Sequence, residues 1–178
     1  MKRLIMCEGP NELAVIRILL ENDALIFGED DLLGLTPYHA RQISKSPQVQ
    51  TALNIYPGND VLVMRVGDKQ GDKLTIPGEY KEKITAVEKY CTKLELEMLL
   101  IISEGLVDEF EKTKSTVPPK AFAKAYIKCG KKSYDNSSAF YQAFFGDDCD
   151  KLISAIREYK RIRGAHKKDE LYLADILK

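Results

Sequence analysis

The feature that most constrains the fold lies near the N-terminus, where a strand hands the chain directly to a helix. Residues 3–7 (Arg3-Leu4-Ile5-Met6-Cys7) form an apolar run of buried-strand length. Glu8 ends it, Gly9 and Pro10 follow, and a helix carrying Leu13, Ala14, Val15, Ile16, Ile18, Leu19 and Leu20 opens at once. Gly9 lets the backbone turn tightly, and Pro10 suits a first helical position. A helix apolar on more than one face is one that packs on a sheet. In open α/β sheets, ligands bind at the carboxyl ends of the strands. Glu8 stands at such an end.

The same pattern recurs. Val61-Leu62-Val63-Met64-Arg65-Val66 is a continuous β-branched run that reads as a buried strand, and Asp68 follows it in a Gly-rich, charged loop. Residues 96–102 (Leu96 to Ile102) are a third apolar run, read as a strand with a helix as the alternative, and Glu104 follows it. Between these, 24–27 reads as a further strand, 38–56 as a helix interrupted near Pro47, and 79–93 as a helix with Ile84, Val87 and Cys91 on one side. The 38–56 segment carries His39, Arg41, Lys45 and Gln48. Alternating strand and helix patterns predict an α/β fold with a mostly parallel sheet flanked by helices.

Three acids, Glu8, Asp68 and Glu104, therefore fall along one predicted sheet edge. Converging there, they would suit a hard divalent cation such as Mg²⁺, which prefers oxygen ligands. Acids that merely begin the next helix, where the dipole favours them, are the alternative.

The last third differs. Residues 112–132 hold seven lysines and no acid, and a predicted amphipathic helix with Leu152, Ile153, Ile156 and Tyr159 on its face ends in a dense basic stretch. Phe140, Tyr141, Phe144 and Phe145 read as core. Gly164 ends the amphipathic helix, and a short helix from Glu170 to Leu177 is expected after it. Residues 1–111 balance to −7 and residues 112–178 to +7, although the whole chain of 178 residues is neutral. The split suggests a polyanion or a cation handled by different parts, or two faces that attract each other. The expected organisation is a 1–111 α/β domain with a basic helical extension, 112–178, packed on it. Four scattered cysteines without a CxxC pair argue against zinc and disulfides. No run is long enough to span a membrane and no signal-peptide pattern opens the chain, so a cytoplasmic protein is expected. No G-x-S-x-G, P-loop or G-x-G-x-x-G is present, His39 and His166 lie far apart, and Cys7 sits inside a strand.

Leu4-Ile5-Met6-Cys7-Glu8-Gly9-Pro10-Asn11-Glu12 resembles the first motif of Toprim domains: a hydrophobic strand, Glu-Gly, a polar residue, then an acid as the helix begins. Such domains occur in primases, type IA and II topoisomerases, recombination proteins and OLD-family nucleases. Their second motif, Asp-x-Asp after a later strand, is matched by Asp68. Gln70 stands where the second aspartate belongs, and Asp72 is the nearest substitute. The resemblance spans residues 3–110.

It implies a Mg²⁺- or Mn²⁺-dependent nuclease or nucleic-acid phosphotransferase acting on DNA or RNA, in phage defence or on mobile elements, alone or with a partner protein. Glu8 and Asp68 would be catalytic and would hold the metal, with Asp72 or Glu104 completing its shell. Phosphates would lie along Lys69, Lys73, Lys128, Lys131, Lys132, Lys160, Arg161, Arg163, Lys167 and Lys168. The alternative is a catalytically degenerate module that binds nucleic acid or protein.

Overall fold

The computed structural model describes residues 1–68, 71, 73–163 and 166–178. Lys69, Gln70, Asp72 and Gly164, discussed above, lie outside the described residues. The strands are β1 (Lys2–Cys7), β2 (Tyr38–His39), β3 (Val61–Gly67), β4 (Ile84–Cys91), β5 (Lys128–Cys129), β6 (Lys132–Ser133) and β7 (Glu170–Leu171). The α-helices are α1 (Pro10–Glu21), α2 (Pro47–Ile55), α3 (Met98–Ser103), α4 (Val107–Thr113), α5 (Pro119–Tyr126), α6 (Ser138–Phe145) and α7 (Cys149–Ile162). The described residues form a five-stranded, wholly parallel sheet in the order β2-β1-β3-β4-β7, and β5 and β6 make a small antiparallel ribbon. This is a Rossmann-like α/β architecture, as the alternating pattern predicts.

Strand periodicity divides the core in two. Ile5, Cys7, Leu62, Met64 and Val66 face one cluster, with α1, α3, α6 and α7. Leu4, Met6, Val61 and Val63 face the other, with Val49 and Leu53 of α2. Both faces of β1 and β3 are covered, which is why their sequences read as unbroken apolar runs.

α1 starts with Gly9 at its N-cap and Pro10 in its first turn. Asp148 caps α7 by accepting the Lys151 N–H at 3.0 Å, and Leu152, Ala155, Ile156 and Tyr159 form the buried face. Ser137 caps α6 by accepting the Phe140 N–H, and its aromatic residues are core. Residues 112–178 do more than cover the sheet: α6 packs on α1, α7 packs on α3, and β7 pairs with β4 at the sheet edge.

Several predicted elements differ. Residues 84–91 are a strand, not a helix. Ile84, Val87 and Cys91 have helical spacing, but Thr85 and Val87 are β-branched and the segment pairs with β3 along its length. Residues 98–103 take the helical alternative. A short apolar run carries no periodicity of its own, and this one is buried among α4, α5 and α7. The 24–27 run joins no sheet; Leu25 makes one bridge to Leu177. The 38–56 segment begins as edge strand β2 and becomes helical only in a short 3-10 turn and in α2. Beyond residue 169 the chain forms β7 and a 3-10 turn, Leu173–Ile176, instead of one helix. Among the described residues no helix is long and apolar enough to cross a membrane.

Candidate active site

The chain leaves β1 toward β2 on one side and leaves β3 toward β4 on the other, although β1 and β3 are neighbours. The gap between their carboxyl ends is thus a topological switch point, the place where open α/β sheets bind ligands. Glu8 and Asp68 flank it. The register pairs Cys7 with Val66, and the Glu8 N–H donates to the Val66 carbonyl at 2.9 Å, which carries Glu8 alongside Gly67.

A cavity of about 330 Å³ opens at this point. Glu8, Glu12, Asp68, Glu95 and Glu97 line it together with Asn11, Arg41, Lys120 and Asn136. They arrive from six separate stretches of the chain. Glu8 ends β1, and Glu12 lies one turn into α1. Asp68 follows β3, and Glu95 and Glu97 lie between β4 and α3. Arg41 follows β2, Lys120 is in the first turn of α5, and Asn136 precedes α6. The carboxyl ends of four neighbouring strands therefore contribute.

Glu8, Glu12 and Glu97 are all buried. Two glycines make room for them. A Cβ on Gly67 would overlap the Glu8 carboxylate, and one on Gly9 would stand 2.6 Å from Oε2 of Glu12. Burial, with the charges of Asp68, Glu8 and Glu97, pushes the Glu12 carboxyl up to about 7, against a hydrogen bond from its own backbone N–H. Glu97 is raised above the usual carboxylate range by burial; the Tyr134 hydroxyl, donating to its Oε1 at 2.7 Å, works the other way. Tyr134 also lies 3.1 Å from Asn136 Oδ1, which accepts from Nδ2 of Asn11 at 3.1 Å. Asn136 holds this position with a φ of +61°, a left-handed conformation that asparagine tolerates better than most residues. Glu95 accepts the Lys120 N–H at 3.0 Å, fixing the start of α5 and with it the lysine, whose Nζ is 3.9 Å from Glu97 Oε1.

These groups can do two things. Oxygen donors of this kind suit Mg²⁺ or Mn²⁺. Burial first, and crowding after it, raise the cost of full ionisation at Glu12, and a divalent cation would offset the crowding. The Asn11 Oδ1 is buried without a partner among the described residues, one more oxygen with capacity to spare. Among the described residues no three Asp, Glu, His or Cys side chains are already grouped as if around one ion. Mg²⁺ does not require that, because it keeps several waters and binds through one or two carboxylates. Arg41 and Lys120, in turn, place positive charge at the rim.

Glu8 and Asp68 are together as the sequence predicts, whereas Glu104 is not with them. It caps the C-terminus of α3 and pairs with Lys151 at 3.1 Å. Its expected place is filled by Glu95 and Glu97, because the third strand is β4 and not 96–102. Asp72 and Lys69 are outside the described residues. Lys73, Lys128, Lys131, Lys167 and Lys168 are exposed. Lys132 pairs with Asp135, Lys160 with Asp175, Arg161 with Glu158 and Arg163 with Glu111. His166 stacks on Tyr172 far along the chain, and burial pushes the Cys7 thiol well up, leaving it a core side chain.

The sequence gives no site role to Glu12, Glu95, Glu97 or Asn136, and Lys120 enters only as one lysine of the basic 112–132 segment. Only Glu12 had a visible signal, a second acid four residues after Glu8 across a Gly-Pro helix start. The others come from segments whose fold was misassigned or whose approach is purely tertiary. Compared with protein-family models, with curated proteins and with solved structures, the chain matches none.

Proposed function

We propose that the protein is a divalent-metal-dependent phosphodiester hydrolase of the Toprim type, a nuclease acting on DNA or RNA. The observation that carries this reading is the gathering of Glu8, Glu12, Asp68 and Glu97 around one cavity at the switch point of the sheet. Glu8 and Asp68 would hold the cation, with Glu97 lining the same cavity. A bound Mg²⁺ or Mn²⁺ supplies charge neutralisation at the phosphate and a water of lowered pKa. Glu12, which lines the same cavity, would take the proton from the attacking water. Lys120, which lines the same cavity, orients the phosphate there. Tyr134 and Asn136 fix Glu97 and Asn11 so that these walls do not collapse.

The test is nicking of plasmid DNA and degradation of RNA by wild type, Glu8→Ala and Asp68→Ala with Mg²⁺ or Mn²⁺. Cleavage by wild type that is lost in both variants supports the reading; cleavage that persists in both refutes it. A second reading, a catalytically silent binding module, is favoured by Gln70, an amide where the Toprim motif has its second aspartate. Salt-dependent binding of nucleic acid by wild type without turnover would select it.

A further inference from the structure

A second cavity, about 370 Å³, adjoins the carboxylate site. His39, Arg41, Gln42, Lys45 and Gln48 line it, and Glu8 and Arg41 belong to both cavities. Its chemistry is the reverse of its neighbour's. Among the described residues Glu8 is the one acid lining it, and the other charged or titratable groups are His39, Arg41 and Lys45.

Arg41 is anchored there. Its Nε donates to the Glu8 carbonyl at 3.2 Å, so the guanidinium is held over the end of β1. Neither Arg41 nor Lys45 pairs with a carboxylate among the described residues, while Lys132, Lys160, Arg161 and Arg163 all do. Gln42 fixes the floor. It donates from Nε2 to the Lys73 carbonyl at 3.0 Å and accepts the Thr75 N–H on Oε1 at 3.0 Å, tying this segment to the loop after β3.

We propose that this cavity is a phosphate site. It takes a phosphate of the nucleic-acid strand next to the one at the carboxylates, and Arg41 and Lys45 are its binding residues. The inference rests on the nuclease reading for the identity of the strand. The contact itself needs only an anionic backbone, two cations and polar side chains around one cavity. Arg41, shared by both cavities, sets the register: one phosphate at Arg41 and Lys45 places its neighbour at Glu8 and Asp68. A planar, always-charged guanidinium suits a phosphate held in one orientation, and the more mobile Lys45 adds charge without directing it.

The experiment separates this proposal from the reading beneath it. A fluorescent single-stranded oligonucleotide is titrated with the full chain in EDTA, where no cleavage occurs, for wild type, Arg41→Ala, Lys45→Ala, the double variant, Glu8→Ala and Lys160→Ala. The expected Kd rises about tenfold for Arg41→Ala and several-fold for Lys45→Ala, and the salt slope of log K falls by about one per cation removed. Lys160→Ala leaves Kd within about twofold, and Glu8→Ala, which removes a carboxylate from both cavities, lowers it. Arg41→Lys recovers the salt slope but not the full affinity, and an unchanged Tm shows that each variant is folded. Inorganic phosphate at millimolar concentration is the competitor that separates sources. Failure to displace the strand means the cavity recognises a backbone phosphate in its chain context. Displacement at those concentrations means a free-phosphate site and overturns the strand assignment. Binding unchanged in the double variant, or absent in wild type, also overturns the proposal. If the double variant binds normally while Glu8→Ala loses cleavage, the nuclease reading stands alone. If Arg41→Ala loses binding in a wild type that never cleaves, the phosphate site stands without the nuclease.

Discussion

The backbone of Gly67 lies so close to the carboxylate of Glu8 that no side chain fits between them. β1 and β3 are paired in register up to this point, so the two residues meet where the strands end. The carboxylate occupies the space that a Cβ would need. Gly67→Ala is therefore expected to leave the sheet formed but to push the Glu8 carboxylate out of the cavity. Overpacking of this kind costs about 1–3 kcal/mol, readable by urea denaturation. Misplacing a catalytic group by about 1 Å can cost roughly 10²-fold, so cleavage should fall far more than stability does. Normal cleavage in a folded Gly67→Ala protein would show that the position of Glu8 does not matter.

The carboxylate cluster gives metal-free protein a distinct pH dependence. The folded state keeps the Glu12 proton up to about pH 7, while the ordinary value is 4.5. Between these values the folded state binds the extra proton, so stability falls as pH rises through the window. At about 1.4 kcal/mol per unit, the loss is at most about 3.5 kcal/mol. Glu97, also raised, works in the same direction. Denaturation in EDTA at pH 5, 6, 7 and 8 should show the decline in wild type and a flatter profile for Glu12→Gln, which becomes the more stable protein at pH 8. Mg²⁺ should raise the wild-type Tm most at the alkaline end, where the carboxylates are ionised.

Tyr134 supports Glu97 from behind the cavity. Tyr134→Phe removes the 2.7 Å donor to a buried carboxylate and leaves it partly unsatisfied, which costs about 1–3 kcal/mol. Glu97 should then hold its proton to still higher pH, so the gap between wild type and variant widens from pH 5 to pH 8. Urea midpoints at the two pH values measure it.

How much of this was legible follows from the elements themselves. β1, β3 and α1 carry their fold in their own residues: unbroken apolar strands and a Gly-Pro helix start. Glu8 and Asp68 could therefore be placed together from sequence. The third strand could not. Ile84, Val87 and Cys91 repeat at helical spacing, and the half-exposed β4 gains its strand character from pairing with β3. Met98 to Ile102, apolar throughout, looks like a strand because nothing polar marks the helix's outer face, and this helix has none, being buried. Exchanging those two assignments moved the third acid from Glu97 to Glu104. Lys120 and Asn136 reach the cavity through a helix start pinned by Glu95 and through a left-handed turn, contacts with no local signature.

The basic tail also looks different in three dimensions. A run of cations reads as a phosphate track, but Lys160 and Arg161 spend their charge on Asp175 and Glu158. Lys160→Ala and Arg161→Ala are each expected to change oligonucleotide affinity by less than about twofold and to leave the salt slope unchanged. A slope that falls by about one in either variant would return these residues to the binding surface.

The most direct test of the central claim is a crystal of the protein grown with Mn²⁺ and measured at the manganese absorption edge. The account predicts an anomalous peak inside the cavity, bound by Glu8 and Asp68 and absent from a Glu8→Ala crystal prepared alike. An empty cavity at saturating Mn²⁺, with both carboxylates ordered as they are without metal, would contradict it.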